Sequence, residues 1–253
     1  MSLDLWIQEA VATLRINRPH QRNAFSREMW RELKSACEEV GDNSQIRVLA
    51  VEATEGAFSS GGDFDDFASL SSLTERKEYM EEVLAAYNAY ENLPIPTVAV
   101  VDGIAVGGGC ELAIVSDIVV ATENARFGLP EARVGLYPGV AVSRGRGRIS
   151  PRFLDYLIYT GRLTDAVEAQ TGGIVTTVCE SGELEEVLAS LLSDICTKAP
   201  LALRAAKKAA IDYHASGGYE VAARDIPILM TTSDHTEGLK AFGDGRLPNF
   251  EGS

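Results

Sequence analysis

Twice between residues 47 and 115 the chain passes from a buried strand through a glycine-rich loop into a helix. Arg47–Glu52 leads into the Gly/Ser segment Gly56–Gly62; Thr74 then opens an amphipathic helix to about Asn92, stopped by Pro94 and Pro96. Thr97–Val101 repeats the pattern, with Gly103 and Gly107–Gly109 behind it and a helix over Glu111–Val115, before Ile118–Thr122 returns as a strand. A chain alternating in this way is expected to fold as an α/β domain. Ahead of the repeats, Leu5–Gln8 and Val11–Asn17 alternate as a hairpin, and Ser26 caps a helix over Arg27–Val40 that closes near Gly41.

Beyond Pro151 the character turns helical, over Arg152–Tyr159, Asp165–Gln170, Glu183–Thr197, Leu201–Ala215 and Tyr219–Met230, with one strand at Ile174–Val178. The 253 residues, 45% of them hydrophobic, suffice for one large domain or a domain with a small appendage. We place a boundary near residue 197, giving a core over 1–197 and a helical region over 198–253. That tail is rich in Ala and Leu. It either packs on a neighbouring subunit, which makes the protein an oligomer, or caps its own domain.

Composition removes several classes of function. Lys and Arg total 23 against 37 for Asp and Glu, a formal charge of -14, which disfavours nucleic acid and anionic membranes as partners. An anionic ligand would have to be held by local donors. No apolar run approaches the roughly 20 residues that span a membrane, and the N-terminus has neither secretory nor transit character. Cys37, Cys110, Cys179 and Cys196 are too scattered for a zinc or CxxC motif, and His20, His214 and His235 have no metal-ligand spacing. These features predict a reduced, cytoplasmic protein without a metal.

The two glycine loops carry the first chemical signal. Ala57-Phe58-Ser59-Ser60-Gly61-Gly62-Asp63 follows a strand and lets backbone N–H groups face a ligand oxygen without Cβ atoms in the way; the alternative is an ordinary tight turn. Gly107-Gly108-Gly109 opens a helix whose first N–H groups lack partners. The spacing fits neither GxGxxG nor a P-loop. Two such loops, each giving one N–H, would form an oxyanion hole for an enolate. Glu111 sits in the apolar run Cys110–Val115, and Glu131 follows Phe127-Gly128-Leu129-Pro130. Near a donor pocket two carboxylates can hold a water and move protons on a neighbouring carbon. Alternatively Glu111 pairs with a buried arginine and Glu131 caps a helix.

Taken together and in order, these motifs resemble the crotonase superfamily along nearly the whole chain, most closely the enoyl-CoA hydratases. Asn17-Arg18-Pro19 with Asn23-Ala24, Phe58–Asp63, Gly107–Glu111, Phe127–Glu131, Gly135, Pro138-Gly139, Thr160-Gly161-Arg162, the Leu201–Ala209 helix and Arg246–Phe250 carry the resemblance. It implies a spiral of ββα repeats with a C-terminal helical trimerisation region, as a homotrimer or a hexamer of paired trimers. It implies hydration of an α,β-unsaturated acyl-CoA thioester, or the reverse, with coenzyme A as part of the substrate and no permanently bound cofactor. The N–H groups of Gly62 and Gly108 would hold the thioester oxygen. Glu111 would deprotonate the attacking water and Glu131 protonate the α-carbon, although coupled carboxylates leave that division open. Arg22, Ala24, Ser60, Gly61, Asp63, Phe64, Tyr137 and Gly139 would contact the substrate.

Some positions depart from the family pattern. Asp65 and Gly245 stand where lysines commonly meet CoA phosphates, and His20 where a basic residue is common. Arg144, Arg146, Arg148 and Arg152 form a basic stretch that reads as a solvated helix face or an intersubunit patch, or as replacement contacts to phosphate or a substrate carboxylate. Alternatives are therefore a hydrolase cleaving a carbon–carbon bond of a cyclic β-diketone, an enoyl-CoA isomerase, and a catalytically idle acyl-CoA-binding oligomer.

Overall fold

A computed structural model of the chain describes residues 2–54, 56–198, 200–214, 220–246 and 248. Its strands are β1 (Leu3–Gln8), β2 (Val11–Ile16), β3 (Val48–Ala53), β4 (Ala57–Ser59), β5 (Thr97–Val101), β6 (Ile104–Val106), β7 (Ile118–Thr122), β8 (Arg126–Gly128), β9 (Thr164–Asp165) and β10 (Thr177–Cys179). They form a six-stranded sheet in the order β1-β2-β3-β5-β7-β10 and a four-stranded sheet in the order β4-β6-β8-β9. The long strands of each repeat thus share one sheet and the short ones another. This is the expected α/β spiral of ββα repeats.

Residue choice explains the layers. β5, with the sequence TVAVV, is buried throughout, as a central parallel strand covered on both faces must be. Helix Arg27–Asp42 buries Met29, Trp30, Leu33, Cys37 and Val40, at the three- and four-residue spacings that make one apolar face, and Ser26 Oγ accepts from Met29 N at 3.3 Å. Helix Leu73–Glu91 begins at Ser72 with a capping box closed by Glu75. Both helices pack against each other over the same core.

Four features differ from the sequence reading. β4, β6, β8 and β9 are strands of only two or three residues, too short to show a period, and none of them was anticipated. The late strand sits at Thr177–Cys179 rather than Ile174–Val178. Helix Ser233–Gly243, begun by the Thr232 cap, was not anticipated. The basic stretch is only in part a solvated face: Arg146 and Arg152 are exposed, Arg146 pairing with Asp155 at 2.7 Å, whereas Arg144 is buried because its guanidinium pairs with the equally buried Glu91 at 2.8 Å.

Residue 197 falls between helices Leu184–Cys196 and Pro200–His214. The expected ends at Ala215 and Tyr219, and most of Arg246–Phe250, lie outside the described residues. Helices Glu220–Leu229 and Ser233–Gly243 fold back on the core of their own chain. Ile226 and Met230 join the main hydrophobic cluster, and Ala241 is buried. Among the described residues no helix is long and apolar enough to cross a membrane.

Candidate active site

The second sheet brings the two glycine loops together. β4 and β6 run parallel, so Ser60–Gly62 and Gly107–Gly109 leave the same edge side by side. They meet at backbone distance. A Cβ on Gly109 would lie 2.5 Å from Ser59 O, and one on Gly61 would lie 3.0 Å from Val106 O and 3.1 Å from Gly108 N. Gly61 also holds φ at +95°, which L side chains rarely adopt. The N-terminal segment clamps the first loop from its other side. Phe25 N donates to Gly61 O at 2.8 Å, Asp63 N to Phe25 O at 2.9 Å and Ser60 N to Arg22 O at 3.1 Å. Buried Asn23 ties this segment down through Nδ2 bonds to Ala57 O at 2.6 Å and Thr54 O at 3.2 Å.

Within this frame neither the Gly62 N–H nor the Gly108 N–H meets an acceptor among the described residues. Gly108 is the first residue of helix Gly108–Val115, so no carbonyl one turn earlier is available to it. Tyr87 Oη donates to Gly108 O at 2.7 Å and fixes that peptide.

Glu111 lies in the first turn of the same helix. Its Oε1 accepts from Val140 N at 2.9 Å and Ala141 N at 3.0 Å, near the start of helix Gly139–Arg144. Burial pushes the carboxyl up to about 7, with the two N–H donors pulling the other way. Glu131 opens the short turn Glu131–Val134. The residue is only partly buried, yet both carboxylate oxygens are sealed from solvent and have no hydrogen-bond partner among the described residues. A Cβ on Gly107 would lie 3.4 Å from Glu131 Oε1, which places the carboxyl beside the second glycine loop. Burial first, and the neighbouring charge of Glu111 second, hold Glu131 well above the ordinary carboxylate range.

One cavity of about 220 Å³ collects these groups. Gly62, Gly108, Glu111 and Glu131 line it, as do Ser60, Gly61, Phe64, Tyr137 and Gly139. Arg22, Ala24 and Asp63 stand outside its wall. Arg22 is exposed, and Ala24 is buried with its carbonyl accepting from Arg18 Nη1 at 3.1 Å. Asp63 pairs with Arg18 and accepts from Asp65 N at 2.9 Å, capping helix Phe64–Ser69. Two carboxyl groups held above their normal range beside two unpartnered N–H donors can receive an anionic oxygen and move a proton.

The enoyl-CoA hydratase/isomerase family model matches residues 6–253. The chain belongs to that family. Within it, the chain is 33% identical over 248 residues to the probable enoyl-CoA hydratase 2, mitochondrial, of Arabidopsis thaliana, covering 96% of this chain and 82% of that one. It is 31% identical to the 2,3-dehydroadipyl-CoA hydratase of Escherichia coli K12, covering 97% and 96%. A crystal structure of an enoyl-CoA hydratase from Mycobacterium avium subsp. paratuberculosis K-10 superposes with a TM-score of 0.89 at 26% identity, covering 99% of both chains.

This family member braces its two glutamates with residues that sequence reasoning did not assign to the site. Glu91, buried at the end of helix Leu73–Glu91, pairs with Arg144 at 2.8 Å and Arg148 at 3.5 Å. Arg148 Nη1 also donates to Val115 O at 3.1 Å and Ser116 O at 3.0 Å, the carbonyl end of the Glu111 helix, where a cation is favoured. The four-residue spacing of Arg144 and Arg148 was the available signal. On the other side, His235 Nδ1 donates to Val134 O at 2.7 Å, in the turn that Glu131 opens. A Cβ on Gly238 would lie 2.4 Å from Val134 Cα, so helix Ser233–Gly243 sits directly on that turn. No local pattern around His235 announces this contact.

Proposed function

We propose that the chain adds water across the double bond of an α,β-unsaturated acyl-CoA thioester, or catalyses the reverse elimination. The observation that carries this reading is the convergence of the Glu111 and Glu131 carboxyls with the Gly62 and Gly108 N–H groups on one cavity. The thioester carbonyl oxygen accepts from the two glycine N–H groups. Ionised Glu111 takes a proton from water as its oxygen bonds to the β-carbon, and the double-bond electrons pass to an enolate whose negative oxygen the same donors hold. Protonated Glu131 then delivers its proton to the α-carbon. The proton gained by Glu111 restores Glu131, so the net change is the addition of one water. The tether from Val140 N and Ala141 N favours the ionised form of Glu111, and the unpartnered, enclosed carboxyl of Glu131 favours the protonated form.

Ala24, Ser60 and Gly62 lie on the proposed path of the CoA arm, with backbone contacts offsetting the acidic charge of the chain. We assign the protein to the cytoplasm on its four free cysteines, and to trimers or paired trimers on the family resemblance and the exposed apolar residues Tyr159, Leu163 and Val167. No resident cofactor is needed for this reaction. Loss of the enoyl-thioester absorbance, compared between wild type, Glu111→Gln and Glu131→Gln, tests the reading. Turnover that collapses in both variants supports it, and equal turnover in all three contradicts it. A second reading, hydrolysis of a cyclic β-diketone, is favoured by exposed Asp65 and Gly245 where CoA-binding lysines are common. It requires that the protein fail to bind CoA esters.

A further inference from the structure

Beyond the ends of β4 and β6 the backbone no longer joins the two glycine loops. The last paired residues are Ser59 and Ala105. Among the described residues no backbone hydrogen bond links Ser60–Gly62 to Gly107–Gly109. Yet two N–H groups that bond one oxygen need a fixed spacing, because a hydrogen bond weakens steeply once its donor moves off line. The strand ladder stops short of supplying it.

Three buried aromatic side chains cross the gap. Phe25 belongs to the first loop through its backbone, since it forms an isolated parallel bridge with Gly62. Its ring stacks on Trp30, with centroids 4.4 Å apart and planes 27° from parallel. Trp30 in turn lies 5.1 Å from the ring of Tyr87, tilted by 40°. Tyr87 Oη then reaches the second loop, donating to Gly108 O at 2.7 Å. The far end is tight as well. A Cβ on Gly108 would lie 3.1 Å from Tyr87 Oη and 3.6 Å from two carbons of the Trp30 ring.

The residue types suit this task. Trp30 and Tyr87 stand on helices Arg27–Asp42 and Leu73–Glu91, which pack against each other, so the rings are carried by rigid elements. Large planar rings enclosed at interior packing density have little room to shift. A phenylalanine at 87 would keep the ring and lose the one hydroxyl that reaches Gly108 O.

We infer that Phe25, Trp30 and Tyr87 are positioning residues, an aromatic strut that sets the distance between the Gly62 and Gly108 N–H groups. This rests on reading those two groups as the oxyanion hole. The strut acts through the glycines and needs no contact with the reacting atoms. An enolate oxygen carries more charge than a ground-state carbonyl, so slackened donors lose more in the transition state than in the bound substrate. Loosening the strut therefore lowers kcat with little change in KM.

The test compares the full chain as wild type, Tyr87→Phe, Trp30→Leu and Trp30→Phe. Turnover is followed on crotonyl-CoA and trans-2-decenoyl-CoA. Carbonyl polarisation is read from bound hexa-2,4-dienoyl-CoA, a conjugated thioester whose absorption moves to longer wavelength when donors pull on its oxygen. Leu33→Ala, buried on the same helix as Trp30 but outside the strut, reports the effect of core loss alone. Tyr87→Phe is expected to lower kcat about 10-fold and Trp30→Leu about 100-fold. KM should stay within about threefold, and both variants should shrink the dienoyl shift. Trp30→Phe should restore most of the rate and the shift, and Leu33→Ala should keep the shift whole. Unchanged kcat and shift in Tyr87→Phe, a change confined to KM, or an equal loss of shift in Leu33→Ala overturns the inference while leaving a hydratase. Wild type that turns over neither enoyl-CoA and leaves the dienoyl band in place overturns the oxyanion-hole reading and this inference with it. Should Trp30→Leu fail to fold, Tyr87→Phe decides, because it removes a single oxygen and keeps every ring.

Discussion

Glu111 and Glu131 are the same residue type facing the same cavity, yet their surroundings treat them in opposite ways. Glu111 stands in a helix whose carbonyl end is held by Arg148, and its carboxyl accepts two N–H bonds from a second helix anchored by the Arg144–Glu91 pair. Glu131 stands in a four-residue turn, pinned from behind by His235, and its carboxyl has no donor among the described residues. The first region is built to tolerate a charge and the second to withhold one. The difference teaches that an acid and a base can be made from two identical side chains by the number of N–H groups aimed at each.

The largest effect that would break this comparison is on the rate. Glu111→Gln and Glu131→Gln are each expected to lose about 10²–10⁴-fold in kcat on an enoyl-CoA, measured by the fall in thioester absorbance. Loss confined to Glu131→Gln would point to an isomerase-like single base.

Next in size is the buried ion pair. Arg144→Met strands part of the Glu91 charge and is expected to cost about 3–5 kcal/mol in urea unfolding. The exposed Arg146→Met, whose partner Asp155 is solvated, is expected to cost about 1 kcal/mol or less.

The pH dependence of stability sharpens the contrast further. Glu111 is raised from 4.5 to about 7 on folding, so its protonated form is favoured in the native state. The associated stability is complete below the unfolded value and is lost as pH rises towards about 7. At about pH 8, Glu111→Gln should recover up to about 3 kcal/mol, less what the amide loses at the two N–H donors. Glu131→Gln, which forfeits no such bonds, should recover more. Thermal melts of the two variants across that range check the order.

The smallest effect expected is at His235, a positioning residue for the Glu131 turn. His235→Ala should lower kcat about 10-fold with little change in KM, and His235→Asn, which keeps a donor for Val134 O, should restore most of it. A parallel change in KM, or no rescue, would make the contact merely structural.

Much of the fold was legible before any coordinates. The long strands have enough residues to show alternation or a continuous apolar run, and the capped helices declare their ends: Ser26 at Arg27–Asp42 is the clearest case. Glu111, Glu131 and the two glycine loops could be singled out because a charge in an apolar run and three consecutive glycines are locally costly choices. The short strands were not legible, since three residues such as Ile104–Val106 carry no measurable period, although they are what bring the loops into contact. Arg144 was misread for a related reason. A cluster of arginines reads as a surface until its partner is known, and Glu91 lies 53 residues away. Helix Ser233–Gly243 has a mixed surface whose burial is decided by Gly238 meeting Val134, a contact that no local pattern encodes.

The central claim, that one carboxyl is ionised while the other keeps its proton, is tested most directly by infrared difference spectroscopy of the protonated carboxyl band. At about pH 8, wild type should show a buried protonated carboxyl that disappears in Glu131→Gln and persists in Glu111→Gln. A band that vanishes in Glu111→Gln and survives in Glu131→Gln would contradict the account.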